Sequence, residues 1–77
     1  MIGIRIKLAP RDIVRLMALC EGYDGLGVPQ TLDARSGALA WCVPEALAPL
    51  ALAALTAAAT RIPMRFTQGE PWPAVVR

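Results

Sequence analysis

The stretch IGIRIKLAPRDIVRLMALCEG, residues 2–22, carries two hydrophobic periods in succession. Isoleucine or leucine stands at every second position from 2 to 8, which predicts a half-buried strand. Pro10 has the backbone angle favoured at the start of a helix, and apolar residues then recur at helical spacing from Ile13 to Cys20. Gly22 follows, where a left-handed helix cap is common. The stretch therefore predicts a strand followed by a helix.

The remainder of the chain carries four further periodic segments. They are predicted as strands at about residues 26–32, 38–43 and 62–66, and as a helix at about residues 49–60. Pro29 cannot donate a hydrogen bond inside a sheet, so the second strand should lie at an edge. Asp33–Gly37 is a turn cluster of hairpin length. The last ten residues, QGEPWPAVVR, hold two prolines around Trp72 and are typical of an extended tail.

The order strand, helix, strand, strand, helix, strand predicts an α+β fold. Two split βαβ halves of this kind make the ferredoxin-like βαββαβ sandwich, a four-stranded antiparallel sheet with two helices on one face. A chain of 77 residues has room for one domain, expected at residues 1–67 and followed by a tail at 68–77. The residues expected to face the helices are Ile2, Ile4, Ile6, Met64 and Phe66.

The composition is more apolar than a small monomer needs. Apolar residues make up 56% of the chain and the mean hydropathy is +0.47. A monomer of this size cannot bury so much apolar surface, and exposed apolar patches usually mark contact sites. The net charge of +2 is too small to indicate a polyanionic partner. We therefore expect self-association or a protein partner.

The location is predicted from the cysteines and from what the sequence lacks. No basic segment followed by an apolar run marks a signal peptide, and the alanine-rich segment is too short for a membrane span. Cys20 and Cys42 lie on different predicted elements and are expected to be buried, reduced and apolar in character. The sequence therefore predicts a cytoplasmic protein without a membrane contact.

The glycine-rich stretch EGYDGLG, residues 21–27, is the clearest candidate for a binding loop. Loops that bind phosphate precede a helix, whose free N–H groups point at the anion. This stretch follows a helix, where carbonyl groups repel anions, and Asp24 adds a negative charge. We expect a helix end and the entry into an edge strand, although Tyr23 and Asp24 remain candidates to line a ligand groove.

Two surfaces are candidate contact sites. Arg5, Lys7 and Arg65 should share the open face of the sheet, which suggests RNA binding. RNA-binding sheets also carry exposed aromatic residues that stack on bases, and no core strand here is expected to offer one. The alternative is a solvated face or ion pairs between subunits. The second is a set of small and apolar residues that could form an interface between subunits. Its members are Ala51, Ala54 and Ala58 in the helix, and Trp72, Val75 and Val76 in the tail.

Catalysis has little support in the residue types. The chain has no histidine and no asparagine, and its one serine, Ser36, lies in the predicted hairpin turn. A nucleophile needs an adjacent base, and Cys20 has only carboxylates nearby. The two thiols stand far apart in sequence, which does not favour a metal site. We expect no enzyme activity, no cofactor and no bound metal.

The segments Pro10–Ile13 and Glu21–Gly25, PRDI and EGYDG, resemble those of a family of short bacterial proteins catalogued as a domain of unknown function. The resemblance covers roughly residues 2–62 and implies no catalytic residues. The layout is also similar to that of ACT regulatory domains, which bind amino acids at subunit interfaces. That resemblance implies a groove near Arg11, Tyr23 and Asp24. ACT domains have a glycine in the first strand–helix loop, whereas Leu8–Arg11 has none.

The sequence thus predicts a non-catalytic interaction module that acts through homo-oligomerisation or binding of a protein partner. One alternative is an ACT-like regulatory module that binds a small molecule such as an amino acid. A second alternative is RNA binding through the basic face of the sheet.

Overall fold

The computed structural model describes residues 1–23 and 25–72 as an α+β fold. Asp24, Val75 and Val76, which sequence patterns placed in candidate sites, lie outside these residues. Short 3-10 turns at Pro10–Asp12 and Glu45–Leu47 lead into the two helices. The elements in chain order are β1 (Ile2–Leu8), α1 (Ile13–Gly22), β2 (Val28–Asp33), β3 (Ala38–Val43), α2 (Ala48–Ala58), β4 (Met64–Phe66) and β5 (Glu70–Pro71).

The sheet is antiparallel, and its path runs β2-β3-β1-β4, with β5 also paired to β1. The expectation of four strands is therefore wrong, because the chain continues past β4 along β1 and forms a fifth short strand. β2 lies at an edge, as Pro29 predicted. The hairpin between β2 and β3 spans residues 34–37, where the backbone N–H of Arg35 donates to Asp33 Oδ1 at 3.0 Å.

The fifth strand forms from residues that were expected in an extended tail. Glu70 lies opposite Gly3 and Pro71 opposite Ile2. The backbone N–H of Trp72 donates to the carbonyl of Met1 at 2.9 Å, which extends the pairing by one residue. Residues 70–72 are therefore held against β1 of the same chain.

The core lies between one face of the sheet and the two helices. Alternation assigns the faces correctly: Ile4 and Ile6 in β1, and Leu39, Trp41 and Val43 in β3, are buried in one cluster. Ile2, Met64 and Phe66 pack against this cluster as predicted. Both helices contribute buried side chains to it, namely Leu16, Cys20, Ala51, Ala54 and Leu55. Cys20 and Cys42 are buried and unpaired, as expected.

Gly25 and Gly37, two of the glycines outside the strands, turn the chain with a positive φ. Gly22 was expected to end α1 in a left-handed conformation, and this is wrong: Gly22 is the last residue of the helix, and the positive φ of 80° occurs at Gly25. The turn is delayed because Tyr23 closes the helix, its N–H donating to the carbonyl of Cys20. Gly37 has φ 76°, and a Cβ there would overlap the carbonyl oxygen of Leu8. Only glycine fits at this point of the hairpin.

Candidate functional site

The outer side of α2 is exposed and uncharged. No charged residue lies between Glu45 and Arg61, so the whole helix lacks charge. We call its exposed residues the α2 strip: Pro49, Leu50, Ala53, Thr56 and Ala57. Leu50 is 61% exposed. The hydroxyl of Thr56 donates to the carbonyl of Leu52 at 2.8 Å, so this group is already engaged within the helix.

The alanines that were predicted to form a subunit interface lie on the other side of α2. Ala51, Ala54 and Ala58 are buried within their own chain. Trp72 is half-buried beside β1. A contact surface on this helix therefore consists of the α2 strip, because the three predicted alanines are already covered. Sequence alone could not separate the two sides, since alanine occurs on both.

An apolar groove runs between α2 and the loop that follows α1. Its volume is about 540 Å³. Among the described residues, those that line it are uncharged: Tyr23, Gly25, Leu26, Leu47, Leu50, Ala53, Ala54 and Ala57. A volume of this size is within the usual range of small-molecule sites. Of the two predicted groove residues that the structure describes, Arg11 and Tyr23, Tyr23 lines this groove.

A second cavity lies on the other side of the same loop. This cleft, of about 370 Å³, is bounded by the end of α1 and the start of β2, with Tyr23 and Gly25 again in its wall. Arg11 lines neither cavity. It precedes α1 whereas Tyr23 follows it, and a ten-residue helix separates them by about 15 Å. The structure therefore does not bring Arg11 and Tyr23 into one site.

The indole of Trp41 is buried without a hydrogen-bond partner. Trp41 is 0% exposed, and Nε1 has no acceptor among residues 1–23 and 25–72. An unpaired buried donor costs about 1–3 kcal/mol. The ring of Tyr23 lies beside it, with 6.2 Å between ring centroids and an interplanar angle of 58°. Such tilted contacts between aromatic rings are favourable. Tyr23 is itself 43% exposed, so it stands between Trp41 and solvent.

The open face of the sheet holds the predicted basic residues. Lys7 lies directly opposite Arg65 on the neighbouring strand, and both are exposed. Arg5 is engaged: its Nε lies 3.2 Å from Glu70 Oε1, and its guanidinium lies 5.1 Å from the centre of the Trp72 ring. Trp72 thus supplies an aromatic ring on this face, which the core strands were not expected to do. The guanidinium of Arg5 already lies over that ring.

Trp72 lies on this face because β1 has no side chain at Gly3. A Cβ at Gly3 would overlap the indole of Trp72. Sequence reasoning missed this contact, although a glycine inside a strand is a known sign of a closely approaching group.

The two thiols are held in their neutral form. Burial raises the pKa of Cys20 to about 12, with a smaller contribution from the nearby Glu21 carboxylate. Burial also raises the pKa of Cys42, whose Sγ lies 3.9 Å from Gln30 Oε1. A neutral thiol is a weak nucleophile and a poor metal ligand. In the part of the chain that the structure describes, no three His, Cys, Asp or Glu side chains are grouped for metal binding.

Neither helix within the described ranges is long and apolar enough to cross a bilayer. α2, the more apolar one, has 11 residues, against about 20 for a membrane-spanning helix.

The comparison with protein families gives one match. A family described as Domain of unknown function (DUF4911) matches residues 6–62. No curated protein and no solved structure matches the chain. The match runs from β1 past the end of α2, which is well over half of the sequence, and it agrees with the resemblance carried by PRDI and EGYDG. The chain therefore belongs to the DUF4911 family of domains of unknown function.

Proposed function

We propose that this chain is a non-catalytic interaction module that associates with a second copy of itself through the α2 strip. One observation carries the proposal: the solvent side of a helix in a small domain has no charge, while Leu50 is 61% exposed. The solvent side of such a helix is normally polar. Contiguous exposed apolar surface in a folded protein usually marks a contact.

A second copy is the partner that fits the chemistry of the strip. An uncharged surface offers no charge complementarity to a strongly acidic or basic partner. The small side chains of Ala53 and Ala57 allow another helix to pack at the short end of the usual 8–10 Å interaxial distance. In a two-fold pair, each copy covers Leu50 of the other. The contact therefore buries two exposed leucine side chains, one from each copy.

We also propose a ferredoxin-like fold and a cytoplasmic location. The strand path β4-β1-β3-β2 supports a ferredoxin-like arrangement, to which β5 is an addition on the β1 side. Two buried, unpaired cysteines support a reducing compartment such as the cytoplasm. The neutral thiols support a non-catalytic role.

The other two functions expected from sequence have weaker support. Amino-acid binding of the ACT type would use Arg11 together with Tyr23, and α1 keeps these residues apart. RNA binding would use Arg5, whose guanidinium is paired with Glu70 and lies over Trp72.

The test is the solution mass of the full chain, measured by light scattering over a range of protein concentrations. We expect a dimer for the wild type and a monomer for Leu50→Glu, because the new charges would face each other in an apolar contact. Val14→Glu is the matched control: Val14 is 76% exposed but lies on α1, so this variant should remain dimeric.

Circular dichroism should show that both variants fold, since both positions are exposed. A wild-type chain that stays monomeric at the highest concentration would contradict the proposal. A dimer that survives Leu50→Glu would move the contact away from the α2 strip.

A further inference from the structure

Trp41 carries a donor that the fold itself does not use. Its neighbours on the same face of β3 are Leu39 and Val43, which have no polar side-chain atoms. A buried indole N–H normally finds an acceptor, and each exception calls for an explanation. A phenyl ring would fill such an apolar position without leaving a donor unpaired. The buried N–H group therefore has no acceptor among the described residues, and its presence calls for another explanation.

Tyr23 separates the two cavities that border this region. Tyr23 and Gly25 line both the groove and the cleft. The backbone of Tyr23 is fixed on both sides, donating to the carbonyl of Cys20 at 3.2 Å and accepting from the N–H of Leu26 at 3.0 Å. Its side chain can turn about χ1 without breaking either bond. Trp41 itself lines neither cavity, so a ligand in the groove or the cleft would reach its ring only after the Tyr23 side chain turned away.

We propose that the joined groove and cleft bind a small, neutral, largely apolar molecule that accepts a hydrogen bond from Trp41 Nε1. The size follows from the groove, about 540 Å³, which admits a compact ring system. The apolar character follows from its leucine and alanine walls. The acceptor follows from the unpaired N–H. Leu50, Ala53 and Ala57 line the groove and also belong to the α2 strip, so we expect a bound molecule and a second copy of the chain to compete for this surface.

The charge of the ligand is set by what lines the two cavities. Among the residues that the structure describes, the groove walls carry no charged side chain and the cleft walls carry one, Glu21. An anion would therefore meet no cation and one carboxylate, and would lose its hydration without compensation. A cation would enter a groove with apolar walls. A neutral molecule with one carbonyl group or ring nitrogen fits the site best.

The test uses two probes of the same shape on the full-length, ¹⁵N-labelled chain. Acetophenone carries a carbonyl acceptor, and α-methylstyrene has a methylene group in place of that oxygen. The indole N–H resonance of Trp41, assigned with the help of Trp72→Phe, is followed by NMR during titration. We expect acetophenone to bind about fivefold to tenfold more tightly, as one added hydrogen bond gives, and to move the indole proton downfield.

Equal affinities for the two probes would overturn the proposal, as would an indole resonance that stays in place while groove residues respond. The absence of binding by either probe would overturn it as well. Trp41→Phe keeps an aromatic ring and loses the N–H, so it should abolish the preference for acetophenone.

Tyr23→Ala provides a second variant, because this half-exposed side chain is not part of the buried cluster. It should strengthen binding of both probes and keep the preference for acetophenone. Unchanged or weaker binding would contradict the role of Tyr23 as the side chain that separates the cavities. Val14→Ala, on the outer side of α1 and 76% exposed, is the control and should leave both affinities as they are.

Discussion

The two helices pack against the same apolar cluster but differ on the side that faces solvent. α1 buries Leu16 and Cys20, and its exposed side carries Arg15 and Glu21. α2 buries Ala51, Ala54, Leu55 and Ala58, and its exposed side carries no charge at all. The fold depends on the inner sides, which the sheet covers in both cases. The difference between the outer sides is therefore not required for folding, and it is the basis on which we propose a contact at the outer side of α2.

The largest expected effect tests whether the inner sides are equivalent. Leu16→Ala in α1 and Leu55→Ala in α2 each remove a fully buried side chain, and each should lower the free energy of unfolding by about 3 kcal/mol. Urea denaturation at low protein concentration measures both. Leu50→Ala, at an exposed position of α2, is the control and should change the value by less than about 0.5 kcal/mol. If the two variants lose stabilities that differ by more than about 2 kcal/mol, the inner sides of the two helices do not contribute equally to the core.

The next effect concerns the thiol that α1 alone carries on its inner side. Burial favours the neutral form of Cys20 and raises its pKa from 9.0 to about 12. The resulting stability is fully present below pH 9 and is lost as the pH rises toward 12. Above pH 9, the free energy of unfolding should fall by up to about 1.4 kcal/mol per pH unit from this group.

Cys20→Ala supplies the reference for this measurement. Urea denaturation at several pH values from 8 to 11 should show a shallower decline in the variant than in the wild type. All other ionisable groups are the same in both proteins, so their contributions cancel in the difference. Parallel curves would mean that the folded chain does not shift the pKa of Cys20.

The smallest expected effect tests the charges at the start of α1. Arg15 Nη1 lies 3.4 Å from Asp12 Oδ1, with the arginine side chain half-exposed, so the pair contributes little. Arg15→Gln should lower the free energy of unfolding by about 0.5 kcal/mol at low salt, and the loss should vanish in 1 M NaCl.

Arg11→Gln is the matched control, because it removes a cation one turn earlier. A positive charge near a helix N-terminus is unfavourable, so this variant should be neutral or slightly more stable. A loss as large as that of Arg15→Gln would show that total charge, rather than the pair with Asp12, is being measured.

Local patterns predicted the strand faces and the hairpin, because both depend on neighbours in sequence. The alternation in β1 identified Ile4 and Ile6 as core residues, and Pro29 placed β2 at an edge. The fifth strand was missed because its formation depends on a distant residue. Pro71 and Pro73 suggested an extended tail, whereas the empty position at Gly3 is what admits Trp72. Local preference does not reveal such a contact across almost the whole chain.

The candidate site was predicted in part for the same reason. Tyr23 could be found from the glycine-rich loop, and it does line the groove. The wall formed by α2, with Leu50 and Ala57, could not be predicted. A helix that is apolar on all sides has no alternation of polar and apolar residues to show which side is exposed. The unpaired N–H of Trp41 is a property of the packed structure and has no sequence signal.

The central position of β1 has a consequence for how the chain folds. β1 is synthesised before its partner strands, and it pairs with β3 at residues 38–43 and with β4 at residues 64–66. Until those residues leave the ribosome, a strand rich in isoleucine has no partner on either side. Contacts between such distant residues slow folding, and an unpaired apolar strand is prone to aggregation. During synthesis, this strand is where we expect a molecular chaperone to bind the nascent chain.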